Sequence, residues 1–279
     1  MALRIDAHQH FWNPARGDYG WLTPERMRLH RTFGPKELRP LLDAAGIQGT
    51  VVVQAAPTVA ETEYLLGIAD ACDEVLGVVG WVDFETPEHL HELDRLARHP
   101  LLKGIRPMIQ DIAETSWMLR PELAWAFKAM IAHDLAFDAL VQPRHLTDLL
   151  TLLQRHPALR AVIDHAGKPE VTGGLDAGWA EAMSALARET SALVKLSGLV
   201  TQAGPGWEVD DLQPIVDHLL ETFGPERIVF GSDWPVLTLR SDYQRWVDAA
   251  EELTEACAPG ERLAIFGGNA VEFYRLSPP

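Results

Sequence analysis

Apolar residues follow two alternating patterns along this chain. Short runs that are almost wholly apolar and rich in β-branched residues, such as 49–54, are too short for helices and predict buried strands. Longer segments carry apolar residues three or four positions apart, for example Leu65, Ile68 and Cys72, and predict helices. The predicted strands are 5–10, 49–54, 76–82, 101–108, 135–141, 159–164, 192–197 and 227–231. The helices that follow them are 36–45, 61–73, 87–98, 121–133, 144–155, 177–189, 211–223 and 242–255, with a terminal helix over 261–276.

Eight strand–helix units in succession predict an α/β fold of the (β/α)8 type, the TIM barrel. Strands that are apolar along their whole length belong to parallel sheets with both faces covered, and eight such units close into a barrel. An open doubly wound sheet is the alternative, but no glycine-rich phosphate-binding loop follows the first strand. No linker, repeat or low-complexity tract interrupts residues 1–279, so we expect a single domain.

The net charge and the cysteine content limit the kinds of partner that the protein can bind. The formal net charge is −16, from 40 Asp and Glu against 24 Lys and Arg, which would repel nucleic acid or an anionic membrane surface and favours solubility. Two cysteines are too few for a disulfide framework and form no metal-binding knuckle. The first strand begins within five residues of Met1, and no apolar run reaches membrane length. We therefore expect a cytoplasmic protein that binds neither nucleic acid nor a membrane.

The first strand ends in two histidines, His8 and His10, separated by one residue. Residues two apart on a strand face the same way, and the carboxyl ends of the strands carry the active site in barrels of this kind. The pair therefore suits a metal ion or a polar cluster, although two histidines in this arrangement can also be structural. A long loop follows, in which Trp12 and Trp21 either wall the barrel mouth or pin the loop.

Polar residues also collect where the other predicted strands end. The carboxyl ends of parallel strands meet at one rim of a barrel, so these polar residues predict a single site at that rim. These residues are Gln54, Trp81, Asp83, Arg106, Gln142, Asp164, His165, Lys168, Lys195, Ser197, Ser232, Asp233 and Trp234.

Some of these polar residues have a plainer interpretation. Arg106 can neutralise Asp83 or Asp233 in a structural ion pair, and Lys195 can do the same elsewhere. Asp164 directly precedes His165, so we expect its side chain to point the other way, towards a backbone group. Histidines at helical positions are expected to be solvated. These are His89, His91, His99, His133, His145, His156 and His218.

Several motifs together resemble one family. They are His8-Gln9-His10-Phe11-Trp12, Gly104-Ile105-Arg106, Asp164-His165-Ala166-Gly167-Lys168-Pro169, Lys195-Leu196-Ser197-Gly198-Leu199, Gly231-Ser232-Asp233-Trp234-Pro235 and the terminal Gly268-Asn269-Ala270. In order and spacing they resemble the amidohydrolase superfamily, in its branch of sugar-acid and dicarboxylate lactonases. The resemblance runs from about residue 3 to 276. It implies a hydrolase that opens an aldono-1,4- or 1,5-lactone, such as a fucono-, rhamnono- or galactonolactone, in carbohydrate catabolism.

Two departures from the superfamily pattern bear on metal binding. Binuclear members carry a bridging carboxylated lysine or glutamate on strand four, where this chain has Arg106, a fixed cation that would repel a second ion. Mononuclear members add a histidine on strand five, where this chain has Gln142. The resemblance therefore implies either that no metal is required or that a single divalent ion is bound. Zinc is the favoured metal, with His8, His10 and Asp233 as its ligands.

The resemblance also suggests roles. Asp233 is expected to act as general base and then as general acid, while His8, His10, His165 and Arg106 polarise the lactone carbonyl. The expected substrate-binding residues are Trp12, Gln54, Trp81, Gln142, Lys168 and Lys195.

Three alternatives to the sugar-acid lactonase stay open at this point. They are a dicarboxylate lactonase, for which Arg240 would be a further cation, a metal-dependent decarboxylase, and a non-catalytic sugar-acid-binding barrel. A homo-oligomer is compatible with each of them.

Overall fold

Eight parallel strands form one sheet in chain order. The computed structural model describes residues 3–277, and its strands are β1 (Ile5–Gln9), β2 (Gly49–Val53), β3 (Val75–Gly80), β4 (Leu102–Ile105), β5 (Ala136–Ala139), β6 (Ala161–Ile163), β7 (Leu193–Leu196) and β8 (Ile228–Phe230). A parallel bridge between Gln9 and Trp234 joins β1 to the segment after β8, where the His10 N–H donates to the Trp234 carbonyl at 2.7 Å. The predicted barrel is confirmed.

At least one helix follows each strand along the chain. The helices are α1 (Pro35–Ala45), α2 (Val59–Ala69), α3 (Leu90–Leu96), α4 (Ala124–Ala132), α5 (Leu146–Arg155), α6 (Ala177–Glu189), α7 (Leu199–Ala203), α8 (Val209–Phe223), α9 (Tyr243–Leu253), α10 (Pro259–Leu263) and α11 (Asn269–Tyr274). Proline at the first position of α1 and Gly46 in the left-handed region after its last residue mark that helix's ends. None of the helices among residues 3–277 is long and apolar enough to span a membrane.

Two segments differ from the predicted helices. The short α7 follows β7 directly and was not expected. The predicted terminal helix over 261–276 is instead α10, a π-helical turn (Ala264–Gly268) and α11. Gly267 in that turn lies against the backbone of Leu3, where a Cβ atom would collide with the Leu3 carbonyl. The widened turn thus lets the end of the chain pack on the start of the first strand.

The terminal helix α11 closes the amino-terminal end of the barrel. Phe273 and Tyr274 pack with residues of the strands, including Ile5 and Val229. Lys103, at the start of β4, donates to the carbonyl of Arg275 at 3.1 Å. Within residues 3–277, apolar packing fills this end of the barrel, whereas a cavity opens at the carboxyl ends of the strands, where the predicted polar residues lie.

Candidate active site

A cavity of about 260 Å³ opens at the carboxyl ends of the strands. This volume lies just below the range of about 300–1,000 Å³ that holds drug-sized ligands, so the cavity suits a molecule the size of a single sugar ring. Six of the residues predicted from the sequence line it, namely His10, Trp12, Arg106, His165, Lys168 and Asp233. His8 is completely buried and lies directly against these residues.

Three imidazole rings surround one carboxylate oxygen. Asp233 Oδ1 lies 3.2 Å from Nε2 of His10, 3.8 Å from Nε2 of His8 and 3.9 Å from Nε2 of His165. Asp233 adopts a left-handed backbone conformation with φ 58°, and its N–H donates to the His8 carbonyl at 2.7 Å. Few residues other than glycine adopt this conformation, and it is common at functional sites. The backbone therefore holds the carboxylate close to the histidines.

Burial and neighbouring charges determine the protonation states of Asp233 and the histidines around it. Burial alone would raise the pKa of Asp233, but His165, His10 and His8 outweigh it and hold that pKa well below its usual value. Burial lowers the pKa of His165 to about 4. Burial, assisted by the charge of Lys195, also lowers the pKa of His8 well below its usual value. At neutral pH, Asp233 is therefore ionised, and His8 and His165 are neutral.

The same residues have the geometry of a metal site. Nδ1 of His10 lies 2.7 Å from the Val53 carbonyl and must donate to it, so Nε2 directs either a lone pair or a proton at Asp233. Two acceptors only 3.2 Å apart require a proton or a cation between them. The ligand atoms of His8, His10 and Asp233 all lie within 4.8 Å of one another. These three residues can therefore hold one divalent ion.

The tautomer of His8 is compatible with either role. Its Nδ1 lies 3.0 Å from Nζ of Lys195, which can donate to it, and 3.4 Å from a carboxylate oxygen of Asp164, which can accept from it. Nε2 can thus be either a donor or a metal ligand. His8, Asp164 and His165 form a second group of close ligand atoms. The fixed charges of Arg106 and Lys195 beside Asp164 oppose a second metal ion there.

Comparison with known proteins identifies the family. The amidohydrolase family profile matches residues 5–276. The chain belongs to the amidohydrolase family. It is 46% identical over 283 residues to an L-fucono-1,5-lactonase of Burkholderia ambifaria, with 100% of this chain and 98% of that protein covered. It is 37% identical over 292 residues to an L-fucono-1,5-lactonase of Burkholderia multivorans, with coverage of 100% and 98%.

A solved structure extends the comparison to the fold. The crystal structure of an amidohydrolase from Burkholderia multivorans with bound zinc superposes with a TM-score of 0.93 at 36% identity. The superposition covers 99% of this chain and 100% of that one. The family resemblance inferred from the strand-end motifs is confirmed.

The prediction for Asp164 was wrong. Asp164 was expected to point away from the site, but its carboxylate lies 3.0 Å from Nζ of Lys195 and 3.4 Å from Nη1 of Arg106. The strand alternation behind that prediction does not apply, because β6 ends at Ile163 and His165 adopts a left-handed conformation with φ 53°. Burial opposes ionisation of Asp164, but Lys195, His8 and Arg106 hold its pKa well below the usual value.

Lys195 lies beneath the cavity and does not line it. The side chain is fully buried, with Nζ 2.5 Å from Asp138 and 3.0 Å from Asp164. The structural ion pair considered from the sequence is thus what the fold shows, although Nζ of Lys195 also lies 3.0 Å from Nδ1 of His8. Sequence reasoning missed Asp138 and Tyr274, whose hydroxyl donates to Asp138 at 2.7 Å from the opposite end of the barrel. The signal for Asp138 was a carboxylate within an otherwise apolar strand.

The cavity lining does not include three residues that were expected to bind substrate, Gln54, Trp81 and Gln142. Each lies at a strand end, where it hydrogen-bonds within the protein. Nε2 of Gln54 donates to the Arg106 carbonyl at 2.6 Å. The N–H of Trp81 donates to Thr62 at 2.8 Å, and Oε1 of Gln142 accepts from Arg144 at 3.1 Å.

The expectation that His145 is solvated was also wrong. The ring is buried, and its Nδ1 accepts the N–H of Gln142 at 3.0 Å. It therefore stabilises the turn into α5 and is not solvent-facing.

The long first loop contributes an aromatic wall. Trp12 lines the cavity and also pins the loop, because its indole N–H is shared between the carbonyls of Leu29 and Arg31 at 3.1 and 3.0 Å. Trp21 packs edge-to-face on Trp12 with 5.3 Å between ring centroids. Other lining residues that the sequence did not reveal lie in loops and in α7, where no strand-end rule applies. They are Arg26, Gln110, Asp111, Thr201 and Gln202.

Proposed function

We propose that this amidohydrolase opens the lactone ring of a sugar acid by hydrolysis, with L-fucono-1,5-lactone as the first substrate to test. The observation that carries the proposal is the ionised Asp233 carboxylate, which is surrounded by three imidazole rings in a cavity of single-ring size that Arg106 also lines. The names of the two relatives at 46% and 37% identity support this substrate class.

The reaction requires a base, donors for the developing oxyanion and a proton for the leaving alkoxide. Asp233 takes a proton from the water that attacks the carbonyl carbon, and a tetrahedral oxyanion forms. The ring carbon–oxygen bond then breaks, and Asp233 returns the proton to the alkoxide oxygen. One group thus serves first as base and then as acid.

We assign the stabilisation of the oxyanion to Arg106 and His165. Both line the cavity, and Arg106 has a permanent positive charge. Nδ1 of His165 lies 2.9 Å from the Ser197 hydroxyl. When that hydroxyl donates to Nδ1, Nε2 carries the proton and faces Asp233 and the cavity. Loss of one such donor typically lowers the rate about 100- to 1,000-fold.

Zinc is proposed as the divalent ion that His8, His10 and Asp233 hold. A bound zinc would polarise the substrate carbonyl as a Lewis acid. The Val53 carbonyl orients the His10 ring for this contact, at 2.7 Å from Nδ1. The zinc bound in the relative of TM-score 0.93 supports this assignment.

The charges of the cavity favour a neutral sugar lactone over a dicarboxylate lactone. Of the three cations that line it, Arg106 is paired with Asp164, and Lys168 donates to Oε1 of Gln110. Lys168 and Arg26 make no ion pair in the described residues, but the carboxylates of Asp111 and Asp233 line the same cavity and balance their charge, whereas a dicarboxylate would need two unopposed cations. The lining also offers hydroxyl and amide groups suited to sugar hydroxyls, from Thr201 and Gln202. Arg240, which would have favoured a dicarboxylate, is not among the lining residues.

A cytoplasmic location is proposed as well. Its support is the presence of two free cysteines and no disulfide in residues 3–277.

Proton release from a panel of lactones separates the candidate functions. The panel contains L-fucono-1,5-lactone, a rhamnonolactone, a galactonolactone and a dicarboxylate lactone, each tested with and without chelator. We expect rapid hydrolysis of a sugar lactone and little of the dicarboxylate. Binding without turnover would indicate a non-catalytic barrel, and release of carbon dioxide from an aromatic acid would indicate a decarboxylase.

The chelator arm tests the metal. Loss of turnover on chelation, restored by zinc, would support a required ion. Turnover unchanged by chelation would show that the imidazoles and Arg106 suffice.

A further inference from the structure

One peptide group links a buried carboxylate to the wall of the cavity. After β2 the chain runs through Ala55 and Ala56 towards α2. The carbonyl of Ala55 accepts the indole N–H of Trp21 at 2.6 Å. The N–H of Ala56, which belongs to the same peptide group, donates to Oε2 of Glu61. In a trans peptide these two groups point in opposite directions, so Glu61 and Trp21 hold one peptide plane from opposite sides.

Glu61 is a buried carboxylate that contacts the backbone after β2 and Tyr19 of the first loop. It lies in the first turn of α2 and is completely buried. Its carboxylate also accepts the N–H of Ala55, at 3.1 and 3.0 Å from its two oxygens. Burial raises the pKa of Glu61 to about 7, although these backbone donors oppose the increase. An ionisable group in such a place is costly unless its hydrogen bonds define a particular geometry.

The geometry that Glu61 defines belongs to the cavity. Ala55 and Trp21 both line it, and Trp21 is only partly buried in a loop with little regular structure. The indole N–H bond to Ala55 fixes the direction of the Trp21 ring, which also packs edge-to-face on Trp12 and lies under the Arg26 guanidinium at 5.7 Å. If the peptide between Ala55 and Ala56 turned, the ring would lose its acceptor.

We propose that Glu61 is a positioning residue for substrate binding. Through the peptide between Ala55 and Ala56 it holds Trp21 in place as an aromatic wall against the substrate ring. The effect on substrate binding rests on the proposed lactonase function, whereas the effect on the Trp21 ring does not.

A double-mutant cycle tests the link. Glu61→Gln, Trp21→Phe and the double variant are compared with the wild type on L-fucono-1,5-lactone. Trp21→Phe keeps an aromatic ring but removes the indole N–H. Each single change should raise KM about fivefold, the net contribution of one ordinary hydrogen bond, and leave kcat within about twofold. The double variant should be no worse than the worse single variant, because both remove the same interaction.

Glu63→Gln is the matched control. Glu63 lies on the same helix but is exposed and pairs with Arg95 at 2.6 Å, so this variant should behave as the wild type. Fully additive effects of the Glu61 and Trp21 changes on KM, or a loss confined to kcat, would overturn the proposal.

Nuclear magnetic resonance of the indole N–H groups gives a measurement that needs no turnover. The signal missing in Trp21→Phe identifies Trp21. It should move in Glu61→Gln and stay in place in Glu63→Gln. If Glu61→Gln does not fold, Glu61→Asp, whose shorter side chain cannot reach both N–H groups, provides the same test. An unmoved Trp21 signal overturns the proposal even if the protein is a lactonase, and a moved signal supports it even if no lactone is hydrolysed.

Discussion

Acidification should destabilise the protein through His165. Burial lowers the pKa of this residue from 6.5 to about 4. In the unfolded chain the imidazole has its ordinary pKa, so between these values the unfolded state binds a proton that the folded state does not. The stability associated with His165 is therefore complete above pH 6.5 and is lost as the pH falls towards 4. The full loss is roughly 3 kcal/mol, of which about 2 kcal/mol is lost between pH 7 and pH 5.

Urea unfolding at pH 7 and pH 5 measures this effect. His165→Asn is the comparison, because asparagine tolerates the left-handed conformation at this position and does not titrate. The other titrating groups are common to both proteins. The wild type should lose about 2 kcal/mol more free energy of unfolding between the two pH values than the variant does. Equal losses would show that His165 is not held neutral by burial, and would refute the assigned protonation states.

Two further substitutions test the surroundings of the site. Gly198→Ala should lower kcat/KM about 100-fold, because Gly198 has φ 66° and an added Cβ would displace the His165 ring. Steady-state kinetics measure this change, and unchanged values would contradict the prediction. Lys195→Met should lower the free energy of unfolding by about 3–5 kcal/mol, because it leaves Asp138 and Asp164 buried without their shared cation. Urea denaturation measures the loss, and a change below about 1 kcal/mol would show that the cation is dispensable.

The fold and the cluster of polar residues at the carboxyl ends of the strands could be predicted because both depend on short-range sequence patterns. Apolar strands and amphipathic helices alternate in the order that a barrel requires, and parallel strands bring their carboxyl ends together whatever the loops do. That rule alone placed His10, Arg106 and Asp233 around one cavity. It failed at Asp164, where a left-handed turn ends the alternation of side chains one residue earlier than expected.

The remaining features depend on contacts between distant parts of the chain. Glu61 is an acidic residue in the first turn of a helix, and such residues are usually exposed; only the path of Ala55 and Ala56 makes it buried. Tyr274 contacts Asp138 from the far end of the barrel, and it is brought there by a π-helical turn that no sequence pattern predicts. No local pattern encodes where such side chains meet.

In the proposed reaction, Asp233 takes the proton of the attacking water and returns it to the leaving alkoxide. The most direct measurement is the hydrolysis rate of L-fucono-1,5-lactone for the wild type and Asp233→Asn, with circular dichroism to verify the fold of the variant. Asparagine is similar in shape and tolerates the left-handed conformation, so the fold should be retained while kcat falls about 100- to 10,000-fold. A folded Asp233→Asn variant with near-wild-type turnover would contradict the account.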